Sequence, residues 1–127
     1  MIIERRLFVR FSMSGSVVLQ VDPEKSISTD CELIDLSFNG VGLYSTLKLN
    51  AESRVKFLVI NRQLNINLGG IGRVVYCQRV YADQDYYRVG LEFVEVDREQ
   101  VKSILVKVRE ILVVERSAGD TEAERSG

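Results

Sequence analysis

Residues 54–80, which read RVKFLVINRQLNINLGGIGRVVYCQRV, decide the fold of this chain. Apolar residues alternate with polar ones over 54–60 and again over 64–68, and a period of two residues is typical of a half-buried β-strand. Asn61 and Arg62 separate the two runs, and asparagine tolerates the left-handed backbone conformation that tight turns require. This stretch therefore predicts a β-hairpin.

Strand patterns also extend outward from the hairpin in both directions. The pair Gly69–Gly70 either ends the hairpin or bends it through a bulge, and the strand pattern resumes after it. Further strands are predicted at 11–21, 31–36, 41–49, 71–80 and 87–93. Polar loops separate these strands, and one of them runs through Asp30. Six or so antiparallel strands in about 90 residues favour an all-β fold, either a small barrel or a sandwich.

The period changes to that of an α-helix after residue 96. Apolar residues then fall at helical spacing, at Val101, Ile104, Leu105, Val108 and Leu112. Asp97 can cap this helix, with Gln100 completing a capping box. We expect the apolar stripe to cover an open end or one face of the sheet, although it could also serve a helix–helix interface. Residues 115–127 are small, polar and acidic, which predicts a disordered tail.

The composition excludes several classes of function. The chain has 127 residues, enough for one domain, and its 17 basic against 18 acidic residues argue against binding to nucleic acid. Histidine is absent, which excludes histidine-based catalysis, and Cys31 and Cys77 alone cannot build a zinc site. The charged N-terminus does not resemble a signal peptide, and no segment approaches the roughly 20 apolar residues of a membrane span. We therefore expect a cytoplasmic protein.

Two polar clusters interrupt the strand pattern. The first holds Arg5, Arg6 and Arg10 directly before the first strand, and arginine binds phosphate and guanine through a rigid fork of donors. The second is the stretch DLSFNGVG, Asp35–Gly42, which can form either a sharp turn or a turn that binds an anion and a base. Taken separately, a solvated basic terminus and an ordinary turn explain these clusters at least as well.

Taken together, the two clusters resemble the motifs of the PilZ domain family. The motifs are RxxxR at Arg6 and Arg10, followed by DxSxxG at Asp35, Ser37 and Gly40. The late segment RVGLEF, residues 88–93, also looks like the last barrel strand of that family. The resemblance covers Arg5–Val114 and implies a small six-stranded antiparallel β-barrel with a C-terminal helix. This architecture agrees with the strand and helix periods described above.

The resemblance also implies a function. PilZ domains are bacterial receptors for the second messenger cyclic di-GMP, so the family points to a binding protein with no cofactor rather than to an enzyme. In the family pattern, Arg6 and Arg10 grip phosphate and guanine and stack on the bases. Asp35 hydrogen-bonds guanine, and Ser37 and Gly40 complete the turn against the ligand.

Three residues beside the motifs are additional candidates. A basic residue at the position of Arg5 accompanies an intercalated pair of nucleotides in the family, so Arg5 is a further expected contact. Asn39 and Gly42 lie next to the DxSxxG motif and rank below it. No set of metal ligands is predicted, because the chain offers neither histidine nor a cysteine cluster.

The RxxxR motif lies in a polar terminal stretch rather than inside a strand, and this position suggests an order–disorder switch as the mechanism. Residues 1–10 would fold over the nucleotide and become ordered, 11–114 would form the barrel with its helix, and 115–127 would be the disordered tail. The new surface would then engage a downstream effector protein, in a pathway such as motility or biofilm regulation. The sequence also leaves open whether the protein forms a homodimer.

Two alternative functions remain open from the sequence. The first is a PilZ-fold protein-interaction module that does not bind nucleotide; such modules typically lack the two arginines that are present here. The second is a small barrel that binds oligonucleotides through exposed aromatic residues on a basic strand face. Its candidate residues are Tyr76, Tyr81, Tyr86 and Tyr87, with Arg73, Arg79 and Arg88 nearby.

Overall fold

Seven strands and one helix are formed by residues 10–22 and 27–111, which are the residues that the computed structural model of this chain describes. The strands are β1 (Phe11–Ser12), β2 (Ser16–Asp22), β3 (Ile27–Leu36), β4 (Gly40–Ser45), β5 (Arg54–Asn61), β6 (Ile66–Arg79) and β7 (Tyr87–Val96). The helix α1 covers residues 98–111.

Six of the strands close into a barrel. The strands β3, β2, β5, β6, β7 and β4 are hydrogen-bonded in that order, and β3 also pairs with β4, which completes the ring. Every pairing is antiparallel, and β1 is attached to β3 as an extra strand. The structure thus confirms the predicted six-stranded antiparallel β-barrel with a C-terminal helix.

The predicted hairpin consists of β5 and β6, but its turn lies at 62–65 and includes more residues than the sequence suggested. Asn65 is the turn residue with a positive φ, of 54°. Asn61 instead closes β5, because its buried amide donates to the carbonyl oxygen of Ser14 and accepts from the N–H of Leu64. The predicted turn position was wrong, since these buried side-chain hydrogen bonds hold Asn61 in the strand.

β6 runs without a break through Gly69–Gly70, so the alternative in which this pair ends the hairpin was wrong. The irregularity lies just beyond the pair, because the pairing of β6 with β7 shifts register between Ile71 and Gly72. A one-residue shift of this kind bends the strand, as a barrel wall requires.

The predicted strand 11–21 is divided into β1 and β2 near Gly15, whose φ of 149° is a backbone conformation that other residues rarely adopt. Both halves nevertheless lie along the same edge of β3. The N–H of Met13 donates to the carbonyl oxygen of Ile34, and the carbonyl oxygen of Gly15 accepts from Leu33. The interruption therefore leaves β1 paired with β3, with Arg10 directly before it.

Two boundaries on β3 and β4 also differ from the prediction. β3 begins at Ile27, so the polar residues through Asp30 belong to a strand and not to a loop. They pair with β2, where Thr29 lies opposite Leu19, and such pairing is a tertiary effect that local composition does not report. β4 ends at Ser45 rather than at residue 49.

The helix α1 packs its apolar stripe into the barrel core. The buried residues of the stripe are Val101, Ile104, Leu105 and Val108. Because these side chains belong to the core, they are not available for the helix–helix interface that the sequence left open. Leu112 and the predicted tail at 115–127 lie outside the described residues. Within the described part of the chain, no helix is long and apolar enough to cross a membrane.

Polar contacts near the start and in the second half of α1 join the helix to the barrel. Asp97 caps the helix as predicted, because its Oδ1 accepts from the N–H of Gln100 at 3.1 Å. The side chain of Gln100 donates to the carbonyl oxygen of Asn67, and Lys107 donates to that of Leu64 at 2.7 Å. The helix therefore lies against the β5–β6 turn.

Candidate ligand-binding site

The DxSxxG motif forms the tight turn between β3 and β4. The N–H of Ser37 donates to the carbonyl oxygen of Gly40 at 2.9 Å. The hydroxyl oxygen of Ser37 accepts from the N–H groups of Asn39 and Gly40, at 3.3 and 3.2 Å. Ser37 is buried and Asn39 is exposed, so the serine shapes the turn while the asparagine faces outward.

A buried carboxylate precedes this turn and lies between two guanidinium groups. Arg10 donates from Nη1 to Oδ1 of Asp35 at 2.8 Å, and Nη2 of Arg88 lies 3.9 Å from the other carboxylate oxygen, Oδ2. The Asp35 side chain is only 10% exposed, whereas both arginines are about half exposed. The carboxylate therefore orients Arg10 while both cations keep a surface toward solvent.

One row of residues crosses four strands at this point. Asp35 on β3 pairs with Gly42 on β4, Gly42 pairs with Gly90 on β7, and Gly90 pairs with Tyr76 on β6. We call Asp35, Gly42, Gly90 and Tyr76 the glycine row. A carboxylate with its arginines stands at one end of this row, and an aromatic ring stands at the other.

The two glycines of the glycine row are required by their neighbours. A Cβ atom on Gly42 would collide with Oδ1 of Asp35, and a Cβ on Gly90 would collide with the ring of Tyr76. Gly42 therefore acts through Asp35, because any larger residue would displace the carboxylate that holds Arg10. Gly90 likewise gives the Tyr76 ring its place over β7.

A cavity of about 330 Å³ lies beside the glycine row. Its lining includes Arg10, Asn39, Tyr76, Gly90 and Glu92, so it joins the RxxxR and DxSxxG motifs to strands β6 and β7. Several of these groups suit a nucleotide, because arginine pairs with phosphate and the tyrosine ring offers a stacking surface.

The charges around the cavity are balanced locally. A side-chain hydrogen bond with Tyr76 is the main cause that raises the pKa of Arg88. Glu92 on the cavity rim is paired with Arg73, which also binds Glu52 at 2.6 Å. The hydrogen bond to Glu92 is the main cause that raises the pKa of Arg73, and the hydrogen bond to Glu52 is the second. The Glu92 side chain is 51% exposed, so water screens most of its repulsion toward an anionic ligand in the cavity.

The structure brings most of the predicted site residues together. Those that meet at the β3–β4 turn and the cavity beside it are Arg10, Asp35, Ser37, Asn39, Gly40 and Gly42. Arg5 and Arg6 lie outside the described residues. Among the tyrosines of the oligonucleotide alternative, Tyr87 is buried and so cannot serve as an exposed stacking platform.

Sequence reasoning did not assign Tyr76, Arg88, Gly90 or Glu92 to this site. These residues lie on β6 and β7, far along the chain from both motifs, and strand register alone brings them there. One signal was present in the sequence, because a glycine inside a strand often marks a close approach, as at Gly90.

A larger cavity of about 590 Å³ lies on the face formed by β2, β5 and β6. It is mostly apolar, lined by residues such as Val18, Leu58 and Ile71, with Lys56 and Glu95 as its charged groups. It involves neither of the two motifs, whereas Arg10 and Asn39 line the smaller cavity. Arg88 also lies beside Asp35 of the glycine row, so the smaller cavity is the better candidate.

Comparison with known proteins identifies the family to which this fold belongs. A family model described as the PilZ domain matches residues 4–109, most of the chain. The chain belongs to the PilZ domain family. This confirms the resemblance inferred from the two motifs, and it supports the prediction of a binding domain rather than an enzyme.

Solved structures of other PilZ proteins share the fold at low sequence identity. The Bacillus subtilis inhibitor of motility, MotI/DgrA, superimposes with a TM-score of 0.70 at 14% identity, covering 90% of this chain and 54% of that one. The PilZ domain of YcgR from Escherichia coli with c-di-GMP has a TM-score of 0.63 at 15% identity, covering 92% and 98%. The K. pneumonia MrkH–c-di-GMP complex has a TM-score of 0.64 at 16% identity, covering 91% and 57%.

This PilZ domain spans about half the length of MotI/DgrA and of MrkH, and nearly all of the isolated YcgR domain. A search of curated proteins finds no significant match. In the described residues there is no group of three or more side chains suited to hold a metal ion.

Proposed function

We propose that this PilZ domain is a receptor for cyclic di-GMP that passes the signal to a partner protein. The observation that carries the proposal is the glycine row, with the Arg10–Asp35–Arg88 cluster at one end and the Tyr76 ring at the other. The YcgR and MrkH structures that contain c-di-GMP have the same fold and add support.

The site suits the chemistry of this ligand. Cyclic di-GMP carries two phosphates and two guanines, so it needs forked cationic donors and flat surfaces for its bases. Arg10 and Arg88 supply the donors, Tyr76 offers a ring, and Gly42 and Gly90 make room for the Asp35 carboxylate and the Tyr76 ring. A micromolar ligand needs about 8 kcal/mol, and one arginine–guanine pair supplies about 1–3 kcal/mol of discrimination.

We assign two tasks to Asp35. Its Oδ1 holds Arg10, whereas Oδ2 lies 3.9 Å from Arg88, beyond direct hydrogen-bonding distance, and we assign Oδ2 to accept from the base edge of guanine. Adenine has no N–H donors at the corresponding positions of its ring. The carboxylate therefore favours guanine over adenine in the proposed complex.

The proposed switch involves residues 1–10. Arg10 is held at the cavity by Asp35, and Arg6 and Arg5 precede it by only four and five residues, so in the proposed complex they close over the nucleotide. Ordering of this segment on binding would create a surface that the effector recognises. Hydrogen exchange tests this step, because equal protection of residues 4–10 with and without nucleotide would contradict it.

The state of the two cysteines agrees with the cellular location expected from the sequence. Cys31 is buried, Cys77 is half-buried, and the two form no disulfide. Burial is the main cause that raises the pKa of the Cys31 thiol, so this cysteine is unreactive. We retain the cytoplasm as the proposed location, where free thiols persist.

Titration calorimetry tests the receptor function directly. We expect heat from cyclic di-GMP and at least tenfold weaker binding of cyclic di-AMP. Arg6→Ala should weaken cyclic di-GMP binding by at least tenfold, because one guanidinium contact is lost. Arg62→Ala, an exposed arginine in the β5–β6 turn, is the matched control and should bind as the wild type does. No heat from the wild type would overturn the proposal and favour a protein-interaction module.

A further inference from the structure

Three tyrosine rings form a continuous stack on the outside of the barrel. The ring centroids of Tyr44 and Tyr86 are 5.0 Å apart, and those of Tyr81 and Tyr86 are 5.9 Å apart, with interplanar angles of 19° and 20°. Tyr81 is 51% exposed, and its neighbour Val80 is also exposed. We call Tyr44, Tyr81, Tyr86 and Val80 the tyrosine surface.

The tyrosine surface adjoins the proposed nucleotide site without being part of it. Tyr44 pairs with Arg88 across β4 and β7, and the next pair on the same face of these strands is Gly42 with Gly90. The cavity beside the glycine row does not include any residue of the tyrosine surface. A molecule on the tyrosine surface would therefore lie next to a bound nucleotide.

The charges that remain available around the tyrosine surface are acidic. Glu32 is exposed and accepts from the hydroxyl of Tyr86 at 3.3 Å, and Asp83 lies in the exposed loop between Tyr81 and Tyr86. Two cations lie nearby, and other groups engage both. Arg88, opposite Tyr44, is directed toward Asp35 and Tyr76 and belongs to the proposed nucleotide site. Arg79 binds Gln84, Asp85 and Tyr87, and it lies 5.1 Å from the centroid of the Tyr87 ring.

Aromatic faces bordered by carboxylates suit one kind of side chain above others. The guanidinium group of arginine stacks on tyrosine and pairs with carboxylate at the same time, and it loses less hydration than an ammonium group does. Tyrosine is also enriched at protein interfaces, because its ring buries a large area at a small entropic cost. Nucleic acid is disfavoured here, since Glu32 and Asp83 would repel its phosphates.

We propose that the tyrosine surface docks an arginine-bearing segment of a partner protein. The surface binds this segment through ring stacking on Tyr81 and Tyr44 and through ion pairing with Glu32 and Asp83. Its role in signalling rests on the proposed receptor function, whereas its affinity for arginine does not.

A synthetic peptide of Arg-Gly-Gly repeats tests the docking surface by nuclear magnetic resonance. We expect the peptide to shift the ring resonances of Tyr44, Tyr81 and Tyr86 and to leave those of the buried Tyr87 unchanged. A Lys-Gly-Gly peptide should bind more weakly, and a Glu-Gly-Gly peptide should not bind. Equal affinity for the arginine and lysine peptides, or preferred binding of a single-stranded oligonucleotide, would overturn the proposal.

Variants separate stacking from charge. Tyr81→Ala and Glu32→Gln should each lower the affinity for the Arg-Gly-Gly peptide by about two- to fivefold, which is the effect of losing one exposed cation–π or ion-pair contact. Val94→Ala, an exposed apolar residue on β7 outside the tyrosine surface, is the control and should leave the affinity unchanged. Loss of affinity in Val94→Ala but not in Tyr81→Ala would place the binding elsewhere.

The nucleotide titration keeps this proposal distinct from the receptor function. Tyr81→Ala should bind cyclic di-GMP as the wild type does. If the peptide shifts the tyrosine resonances while the wild type binds no nucleotide, the receptor function fails and the docking surface stands. If the nucleotide binds and the peptide does not, the docking surface fails alone.

Discussion

Two clusters on this PilZ domain combine arginine and carboxylate groups in opposite ratios. One has two arginines around one carboxylate, and the other has one arginine between two carboxylates. At the proposed site, Arg10 and Arg88 share the carboxylate of Asp35, whose side chain is 10% exposed. On the neighbouring surface, Arg73 is shared by Glu52 and Glu92, which are 72% and 51% exposed. The first cluster has a surplus of positive charge around a buried acid, and the second has a surplus of negative charge in water.

The difference explains why an anion would bind at one cluster and not at the other. A buried carboxylate needs its cations, so the Arg10–Asp35 pair is fixed and its remaining donors are already oriented. Exposed ion pairs such as those of Arg73 are screened by water and contribute little to stability. We expect substitutions in the first cluster to have large effects and those in the second to have small ones.

Gly42→Ala should have the largest effect, because the added Cβ would collide with Oδ1 of Asp35 and displace the anchor of Arg10. We expect the free energy of unfolding to fall by about 1–3 kcal/mol in urea denaturation, with loss of cyclic di-GMP binding. Gly69→Ala is the matched control, since its Cβ would lie 3.7 Å from the nearest atoms. Equal losses in both variants would show that Gly42 does not act through Asp35.

Removal of either partner of the Arg10–Asp35 ion pair comes next, and we expect the two losses to be unequal because only the carboxylate is buried. Arg10→Ala leaves a buried carboxylate with Arg88 at 3.9 Å, which should cost about 1–3 kcal/mol in urea denaturation. Asp35→Ala leaves two half-exposed guanidinium groups that water can solvate, so it should cost less. The comparison breaks down if Asp35→Ala is the more destabilising variant.

A third arginine connects the first cluster to the helix. Arg98 donates from Nη1 to the carbonyl oxygen of Phe38 in the β3–β4 turn at 2.9 Å and lies over the rings of Phe38 and Phe93. Arg98→Ala should cost about 1 kcal/mol and weaken nucleotide binding severalfold, because the turn loses its support. Arg98→Lys should recover part of the stability. Unchanged nucleotide affinity in Arg98→Ala would mean that the turn is held without the helix.

Arg73→Ala should have the smallest effect. It leaves Glu52 and Glu92 in solvent, so we expect a change of less than roughly 1 kcal/mol in urea denaturation and a smaller one at high salt. A loss as large as that of Arg10→Ala would remove the distinction between the two clusters.

The sequence predicted the parts of the fold that depend on local period. The β5–β6 hairpin, the Asp97 cap and the all-β class followed from alternation, helical spacing and capping chemistry, whereas the choice of a barrel over a sandwich came from the PilZ resemblance. Strand ends that depend on tertiary pairing were missed, as at Ile27–Asp30. The buried amide of Asn61 likewise overrode its turn propensity.

The residues of the candidate site also separate into those that local sequence predicted and those that depend on tertiary pairing. The β3–β4 turn was predicted because its residues are consecutive in the chain. Tyr76 and Gly90 were not assigned, because they reach the site only through the register of β6 with β7, which a single sequence does not specify. The β3–β4 pairing that sets Gly42 against Asp35 also includes a register shift, which no local sequence pattern predicts.

Titration of cyclic di-GMP into the wild type, Arg10→Ala and Arg73→Ala tests the central claim most directly. The two variants remove the same side chain, one from each cluster. We predict that Arg10→Ala weakens binding at least tenfold, the equivalent of about 1.4 kcal/mol, whereas Arg73→Ala stays within about twofold of the wild type. No binding by the wild type, or equal losses in both variants, would contradict the account.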